Sequence, residues 1–404
     1  AYDAAHITLH VEASPPEVVA HEIAAVARLS EGQPLTLRLE ARSGESEILV
    51  APGVVSTIGA RIHDSWPHAR RVWIVTDSNV GPLHAPAVME RIQDAGIATE
   101  CFVVAAGEGS KSLRVAGDLY DWLLGHGVER GDVIVALGGG VVGDLAGFAA
   151  ATVLRGVGLV QIPTTLLAAV DSSVGGKTGI NHAAGKNLIG AFLQPPLVVA
   201  DTNLLRSMPP RDLRSGWAEV VKHALIQRST PGGERGDLVD VLQRNASRLE
   251  RLDEPVTSYV IWRNIRLKAE VVAADEREDG IRAYLNFGHT LGHAIEAADY
   301  HLLHGEAISL GMRAAANIGV ACGTCGPSDA DRLNGLLGLF DLPRSAALDE
   351  TKVVAKLASD KKRVAGRQRF VLPSRGGGVE IRDDVPEDVV RQSLSAVNAA
   401  TIGI

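Results

Sequence analysis

The sequence has few cysteines, no excess of basic residues and no long apolar run, and each scarcity excludes a class of protein. Three cysteines among 404 residues cannot build a disulfide framework, so we expect a reducing compartment. No apolar run approaches the ~18 residues that cross a bilayer, and no secretory signal is visible. The net charge of −8, with scattered Lys and Arg, argues against nucleic acid or an acidic membrane face as the partner. We therefore expect a cytoplasmic protein that acts on a small molecule.

What is present fits a globular protein of more than one domain. Hydrophobic residues make up 46% and charged residues 22% of the chain, and 404 residues exceed the usual ~100–200 of one domain. Cys322 and Cys325 form a lone C-x-x-C motif with no second pair of ligands nearby. We interpret them as ordinary small residues near a helix end.

The two halves of the chain differ in the pattern of their apolar residues. Up to about residue 201, short apolar runs alternate with helical patterns, which predicts an α/β domain with a parallel sheet and helices on both faces. Beyond it, helical patterns dominate until a late pair of short strands at 369–372 and 379–381. The domains we expect are an appended strand and helix, a nucleotide-binding α/β domain and a mostly α-helical domain, at 1–33, 34–210 and 211–404.

A glycine-rich turn in the α/β half favours a dinucleotide. Gly138, Gly139, Gly140 and Gly143 stand between a predicted strand and a predicted helix, an arrangement that brings backbone N–H groups to a pyrophosphate. A tight turn without a ligand is the alternative. Polar segments at 76–79 and 107–111 follow two neighbouring strands, at the sheet edge where α/β proteins bind ligands. The turn lacks the G-x-x-x-x-G-K-[ST] pattern, which disfavours an ATP-type loop.

The segment 163–187 is polar and rich in glycine, and we interpret it as a long functional loop. Lys177 and Lys186 emerge beside glycines, where each suits an anionic group as a point charge. A solvated surface loop is the alternative. The apolar run at 166–170 argues for the wall of a pocket instead.

The helical half contains a candidate metal site. Arg282, Asn286, His289 and His293 are spaced four, three and four residues apart, which places them on one face of a helix if the segment is helical. With Glu219 and His304, His289 completes the open three-ligand set of a catalytic Zn²⁺. His301 is an alternative to His304 as the third ligand.

These motifs together resemble those of 3-dehydroquinate synthases. The similar stretches, in order, are 138–148, 163–168, 171–178, 185–192, 218–222, 285–296, 304–307 and 360–362. The resemblance covers about residues 35–400. It implies the conversion of 3-deoxy-arabino-heptulosonate 7-phosphate to 3-dehydroquinate and phosphate, through transient oxidation by NAD, β-elimination of phosphate, re-reduction and an internal aldol closure. Such an enzyme is a phosphorus–oxygen lyase.

The resemblance also implies the cofactors and the residues of the site. It implies NAD, one divalent metal with Zn²⁺ favoured over Co²⁺, and a homodimer. The implied metal ligands are Glu219, His289 and His304. The implied NAD contacts are Asp77, Asn79, Glu108, Lys111, Gly139, Gly140, Asp144, Thr164, Thr165, Lys186 and Ser207. The implied catalytic and substrate-binding residues are Arg155, Asp171, Lys177, Asn187, Lys222, Lys268, Arg282, Asn286, His293 and Lys361.

The segments at 2–7 and 14–19 are similar to the C-terminal tail of shikimate kinases. We therefore expect a strand and a helix within residues 1–30 that lie outside the active site, as the remnant of a kinase–synthase fusion. The chain has no kinase phosphate loop, so we expect no kinase activity.

Three other functions are compatible with the sequence. Another sugar-phosphate cyclase, forming an aminated dehydroquinate, a deoxy-inosose or a valiolone, would share the fold and cofactors. The loop at 171–177 and Asn286 are similar to dehydroquinate synthases, and Lys268 with Arg282 suits a substrate carboxylate. A metal-dependent NAD polyol dehydrogenase would release NADH. A cofactor-binding scaffold with a dead site would have lost some of the charged residues, which are all present.

Overall fold

The computed structural model describes residues 16–233, 236–278, 280–298, 301–358 and 368–399. It divides into two compact units. The first, here the α/β unit, comprises Ala20–Pro209 with Thr257–Ala269; the second, here the helical unit, comprises Ala1–Val19, Pro210–Val256 and Glu270–Ile404. The predicted strand within residues 1–15, like Lys361, lies outside the described residues.

The α/β unit is built on a seven-stranded sheet. Its strands are β1 (Leu35–Ala41), β2 (Gly44–Ala51), β3 (Arg71–Asp77), β4 (Ala98–Val104), β5 (Val133–Gly138), β6 (Gly158–Pro163) and β9 (Leu197–Asp201). Their order is β1-β2-β9-β6-β5-β3-β4. Only β1 and β2 pair antiparallel, and the other neighbours in this sheet pair parallel. The predicted parallel sheet is confirmed.

Helices cover both faces of this sheet, as predicted. They are α2 (Ile58–Ser65), α3 (Gly81–Gln93), α4 (Leu113–Gly125) and α5 (Gly140–Thr152). Ile62 of α2 and Val88 of α3 belong to one apolar cluster, while Leu119 of α4 and Leu145 of α5 belong to a second. Alternate residues of the buried strands supply both clusters, because successive side chains of a strand point to opposite faces. The short helix α2 was not predicted.

The interpretation of 163–187 as one long loop is wrong. After a π-helical turn at Ala168–Ser172, the chain forms an antiparallel hairpin of β7 (Lys177–His182) and β8 (Gly185–Phe192). Glycine is required where the two strands approach closely. A Cβ on Gly179 would lie 2.7 Å from the Ile189 carbonyl oxygen, and one on Gly190 would lie 2.3 Å from that of Thr178. Glycines that predict a loop therefore serve close strand pairing here.

The helical unit contains the remaining elements. They are α6 (Pro210–Ile226), α7 (Leu238–Glu250), α9 (His289–Ala298), α10 (His304–Cys322), α11 (Pro327–Leu339), α12 (Glu350–Ala358), α13 (Glu387–Ser395) and the strand pair β10 (Phe370–Pro373) and β11 (Val379–Arg382). Helix α8 (Val256–Ala274) begins and ends in this unit, but its residues 257–269 pack with the α/β unit. In the described part of the chain, no helix is long and apolar enough to cross a membrane.

One predicted helix is wrong at its start. The segment Ile281–Asn286 is a 3₁₀ helix, and α9 begins only at His289. Gly288 lies between them with a φ of 75°, a left-handed conformation that interrupts a right-handed helix. Arg282 and Asn286 therefore do not share one continuous helix face with His289 and His293.

The predicted N-terminal helix is confirmed as α1 (Pro16–Ser30), and a buried network joins it to α8. Glu22, only 2% exposed, lies 3.1 Å from an Arg263 guanidinium nitrogen. The Tyr259 hydroxyl donates to Glu22 at 2.8 Å and accepts from Arg263 at 2.8 Å. Whether residues 1–30 are dispensable for catalysis stays a prediction, but α1 is part of the packing of the α/β unit.

We expect Glu22→Gln to destabilise the α/β unit by about 3–5 kcal/mol, because the buried Arg263 would lose its charged partner. Urea unfolding followed by tryptophan fluorescence measures this loss. Glu31→Gln, at an exposed position just after α1, is the matched control and should change little. An unchanged unfolding midpoint for Glu22→Gln would show that the ion pair does not anchor α1.

Candidate active site

In the α/β unit, several of the predicted cofactor residues lie at or just beyond the carboxyl ends of β3, β4 and β5. Helix α5 begins at Gly140, directly after β5, with Gly139 as its N-cap. A glycine cap has no side chain to bind the first-turn N–H groups, so these face outward at the positive end of the helix dipole. The geometry is that of a phosphate-binding helix start.

Two of the residues predicted to bind NAD contact each other. The Lys111 ammonium group donates to the Asp144 carboxylate, and Lys111 is 5% exposed. Burial raises the pKa of Asp144, and the neighbouring Lys111 only partly offsets this effect. Because Lys111 offsets its negative charge, the Asp144 carboxylate beside the α5 start repels an anionic ligand less than an unpaired carboxylate would.

Two other predicted cofactor residues, Asp77 and Ser207, have structural partners as well. Asp77, at the end of β3, accepts from the backbone N–H groups of Asn79 at 2.8 Å and Val80 at 3.0 Å. The Ser207 hydroxyl lies 2.8 Å from His84 Nε2 and donates to the Leu204 carbonyl. Sequence analysis missed His84, which sits on α3 far along the chain from Ser207.

Thr164 and Thr165 follow β6 and differ in their surroundings. The Thr165 hydroxyl accepts from the Ala168 N–H at 3.2 Å and so caps the following turn. The Thr164 hydroxyl is buried and has no hydrogen-bond partner among the described residues. A buried hydroxyl without a partner is costly, which marks it as a group that a ligand could satisfy.

The predicted substrate residues of the α/β unit fall into two groups. Lys268 of α8 is 6% exposed and donates to the Asp171 carboxylate at 2.7 Å. Lys177 and Asn187 are exposed on the β7–β8 hairpin, as is Lys186, which is predicted to contact NAD, and Asn187 has a φ of 57°. Arg155 is also exposed and has a φ of 70°, in a turn that follows α5. Non-glycine residues with such φ values are uncommon and are often functional.

In the helical unit, three helices bring the predicted metal ligands together. Glu219 of α6 is fully buried, and its Oε1 lies 3.4 Å from His289 Nε2 and 3.6 Å from His304 Nε2. The ligand nitrogens of His289, His293 and His304 all lie within 4.8 Å of one another. His301 is exposed, and its carbonyl accepts from Arg211, so the geometry favours His304 over His301.

The Glu219 carboxylate fits a metal ligand. Both of its oxygens are buried without a hydrogen bond of good geometry from the described residues, although Lys222 forms an ion pair with it. Burial opposes ionisation of Glu219, but Lys222, His289 and His304 outweigh burial and hold its pKa well below the usual range. A buried charge of this kind is characteristic of sites that hold a cation.

The two histidines differ in protonation. Burial is the main cause that lowers the pKa of His289 well below 6.5, so its ring is neutral and can ligate a metal. Burial lowers the pKa of His304 too, but Glu219 and Glu296 overcome it and raise the pKa to about 9. A metal ion binding there displaces that proton.

The far nitrogen of each imidazole is held by an oxygen. His289 Nδ1 lies 3.0 Å from the Phe287 carbonyl oxygen, and His304 Nδ1 lies 2.9 Å from Glu296 Oε2. Such outer partners orient the ring and set the tautomer of a ligating histidine. Sequence analysis missed Glu296, although its position three residues after His293 places it on the same face of α9.

Close glycine contacts set the distances between these helices. A Cβ on Gly305 of α10 would lie 1.8 Å from the Ser215 carbonyl oxygen of α6. A Cβ on Gly311 would lie 2.0 Å from the carbonyl oxygen of Gly288, which precedes α9. Because α10 approaches both neighbours this closely, Glu219, His289 and His304 come within reach of one ion.

Three further predicted residues of this unit are engaged locally. Arg282 is buried and donates to the Glu276 carbonyl. Asn286 donates to the Glu278 carboxylate at 2.5 Å. Lys222, 1% exposed, is committed to Glu219.

We expect Glu296→Gln to weaken metal binding roughly 10–100-fold, because a neutral amide no longer supports the ligand character of His304. Metal titration of the stripped protein measures this loss. Glu387→Gln is the control, since that side chain is 75% exposed and pairs only locally with Arg391. Equal affinities in the two variants would show that Glu296 does not support a metal ligand.

Comparison with known proteins agrees with this geometry. Residues 101–215 match the family described as 3-dehydroquinate synthase N-terminal, and residues 216–363 match 3-dehydroquinate synthase C-terminal. The 3-dehydroquinate synthase of Symbiobacterium thermophilum is 46% identical over 87% of this chain and 97% of its own. That of Desulforamulus reducens is 42% identical over 89% of this chain and 99% of its own.

Solved structures give the same fold. ValA, the 2-epi-5-epi-valiolone synthase of Streptomyces hygroscopicus, has NAD⁺ and Zn²⁺ bound and matches with a TM-score of 0.78 at 26% identity, over 87% of this chain and 96% of its own. A glycerol dehydrogenase from Sinorhizobium meliloti, described as probable, shares only the fold, at 17% identity and a TM-score of 0.62, over 87% of this chain and 96% of its own. With family matches across most of the chain and relatives above 40% identity, this chain belongs to the 3-dehydroquinate synthase family.

Proposed function

We propose that this chain converts 3-deoxy-arabino-heptulosonate 7-phosphate to 3-dehydroquinate and phosphate, using NAD and one divalent metal ion. The observation that carries the proposal is the buried Glu219 carboxylate surrounded by His289 and His304, in a chain 46% identical to a 3-dehydroquinate synthase. Zn²⁺ is the ion we favour, because nitrogen and carboxylate ligands suit it and ValA binds it.

Glu219, His289 and His304 would hold the metal, and the α5 start with Lys111, Asp144 and Thr164 would hold NAD. When bound, NAD supplies reversible hydride transfer, and the metal ion supplies polarisation of a substrate oxygen. His293 is close enough to the other histidines to be a fourth ligand. We assign it to the substrate instead, since three ligands leave an open position for catalysis.

We assign the substrate phosphate to Lys177, Asn187 and His293. An ammonium, a carboxamide and an imidazole together provide the donors and the charge that a dianion needs when it leaves water. We assign the substrate carboxylate to Lys268 and Arg282, which neighbouring Asp171 and Glu276 hold in place. The remaining assignments, to Arg155, Lys361 and the other residues named from the resemblance, are proposals of the same kind.

We propose dehydroquinate and not another cyclic product because curated relatives at 40–46% identity carry that activity in their names. The valiolone synthase matches at 26% identity only. An aminated dehydroquinate would differ in one substituent, and comparing both substrates separates the two activities. Assembly as a homodimer and a cytoplasmic location also remain proposals.

The direct test is phosphate release from the heptulosonate phosphate, with and without a chelator. We expect release that stops when the metal is removed and returns when Zn²⁺ is added. Release from glucose 6-phosphate, or from the amino analogue in preference to the heptulosonate, would instead point to another cyclase.

A further inference from the structure

Asn181 occupies a junction within the α/β unit. Its backbone N–H, near the end of β7, donates to the Lys111 carbonyl oxygen at 2.9 Å. Its side-chain Nδ2 donates to Glu108 Oε1 at 2.7 Å, and its Oδ1 accepts from the Asn187 N–H at 2.9 Å. The Asn181 side-chain amide therefore donates through its nitrogen to the segment after β4 and accepts through its oxygen from β8.

The two segments have different proposed tasks. Glu108 and Lys111 follow β4 and are proposed to contact NAD, whereas Asn187 lies on β8 and is proposed to contact the substrate phosphate. Asn187 has a φ of 57°, in the left-handed region that asparagine adopts more readily than most other non-glycine residues. The hydrogen bond from its N–H to Asn181 Oδ1 helps to hold this conformation.

We infer that Asn181 is a positioning residue that couples the Glu108 segment to Asn187, so that NAD binding and substrate-phosphate binding strengthen each other. The inference rests on the proposed function, because it assigns these segments to the two ligands. Coupling of this kind is reciprocal: whatever factor NAD adds to phosphate binding, phosphate adds to NAD binding.

The experiment measures binding, not turnover. The affinity for a carbaphosphonate analogue of the substrate is determined by calorimetry with and without NAD. For the unmodified chain we expect NAD to tighten analogue binding at least ~5-fold, the lower end of typical coupling. In Asn181→Ala the factor should fall below ~2-fold. Leu188→Ala, on an exposed residue of the same hairpin, is the control and should keep the full factor.

Two substitutions that together reverse the direction of the Asn181–Glu108 hydrogen bond separate this positioning role from a general loss of stability. Asn181→Asp keeps the acceptor for Asn187 but places a second carboxylate beside Glu108, so NAD affinity should fall ~10-fold or more. Adding Glu108→Gln restores a donor–acceptor pair with its direction reversed. The double variant should then bind NAD within ~3-fold of Glu108→Gln alone and recover the coupling to the analogue.

The outcomes also separate this inference from the proposed function. If the unmodified chain binds NAD and the analogue, yet NAD tightens analogue binding equally in Asn181→Ala, the inference is wrong and the function stands. Absence of coupling in the unmodified chain overturns the inference too. A chain that binds neither NAD nor the analogue would overturn the proposed function itself.

Discussion

Glu219→Gln is expected to remove bound metal and turnover together. Glu219 is fully buried, its ion pairs with Lys222 and His304 depend on its negative charge, and the neutral His289 ring lies 3.4 Å from its Oε1. The amide keeps the shape but removes the charge and adds a donor that faces Lys222. Loss of one partner from a buried charged group costs about 3–5 kcal/mol, which corresponds to roughly 10²–10⁴-fold in metal affinity.

Metal content after dialysis and kcat measured with added Zn²⁺ test this expectation. Glu296→Gln provides the graded comparison, since an outer partner should cost less than a ligand. Circular dichroism shows whether the variants remain folded. A Glu219→Gln variant that retains stoichiometric metal would remove this residue from the ligand set and leave His293 to take its place among the histidines.

Lys177→Ala is expected to lower kcat/KM by roughly 10²–10⁴-fold, which is several kcal/mol of transition-state stabilisation. Lys177 begins β7, directly after two glycines with φ values of 98° and 68° that turn the chain. We assign its ammonium group to the phosphate that leaves during the proposed reaction. Charge developing on a leaving group is where a fixed cation has its largest effect on rate.

Lys186→Ala on the same hairpin is the matched variant, because it is assigned to NAD. The two variants should differ in the ligand whose affinity they lose. Lys177→Ala should bind the carbaphosphonate more weakly and NAD almost unchanged, whereas Lys186→Ala should bind NAD more weakly and the carbaphosphonate almost unchanged. If Lys177→Ala keeps its affinity for the analogue but loses NAD, Lys177 belongs to the cofactor site.

Sequence patterns predicted the secondary-structure elements at positions where a single structural rule applied and no other rule opposed it. Buried strands such as β5, and helices with clear caps such as α4 after Ser112, follow from apolar periodicity and capping. The β7–β8 hairpin was missed because Gly179 and Gly190, which predict a loop, are required by strands that approach closely. The segment 282–293 is not one continuous helix, because Gly288, with a left-handed φ of 75°, separates the 3₁₀ helix Ile281–Asn286 from α9.

The residues of the candidate site likewise fall into those that the sequence predicts and those that it does not. Residues with unusual chemistry for their surroundings, such as Glu219 and His289, stand out in the sequence, and the structure brings them together. Their supporting partners do not stand out. Glu296, Asn181 and His84 are ordinary polar residues whose roles arise only from contacts made across the fold. Backbone carbonyls such as that of Phe287 leave no mark on the sequence at all.

The most direct test of the central claim is a product balance. Phosphate, 3-dehydroquinate and NADH are measured together during complete consumption of the heptulosonate phosphate. We expect equal amounts of phosphate and 3-dehydroquinate, no net NADH, and no reaction after chelation until Zn²⁺ is restored. NADH that accumulates in proportion to substrate, or phosphate release that persists without metal, would contradict the account.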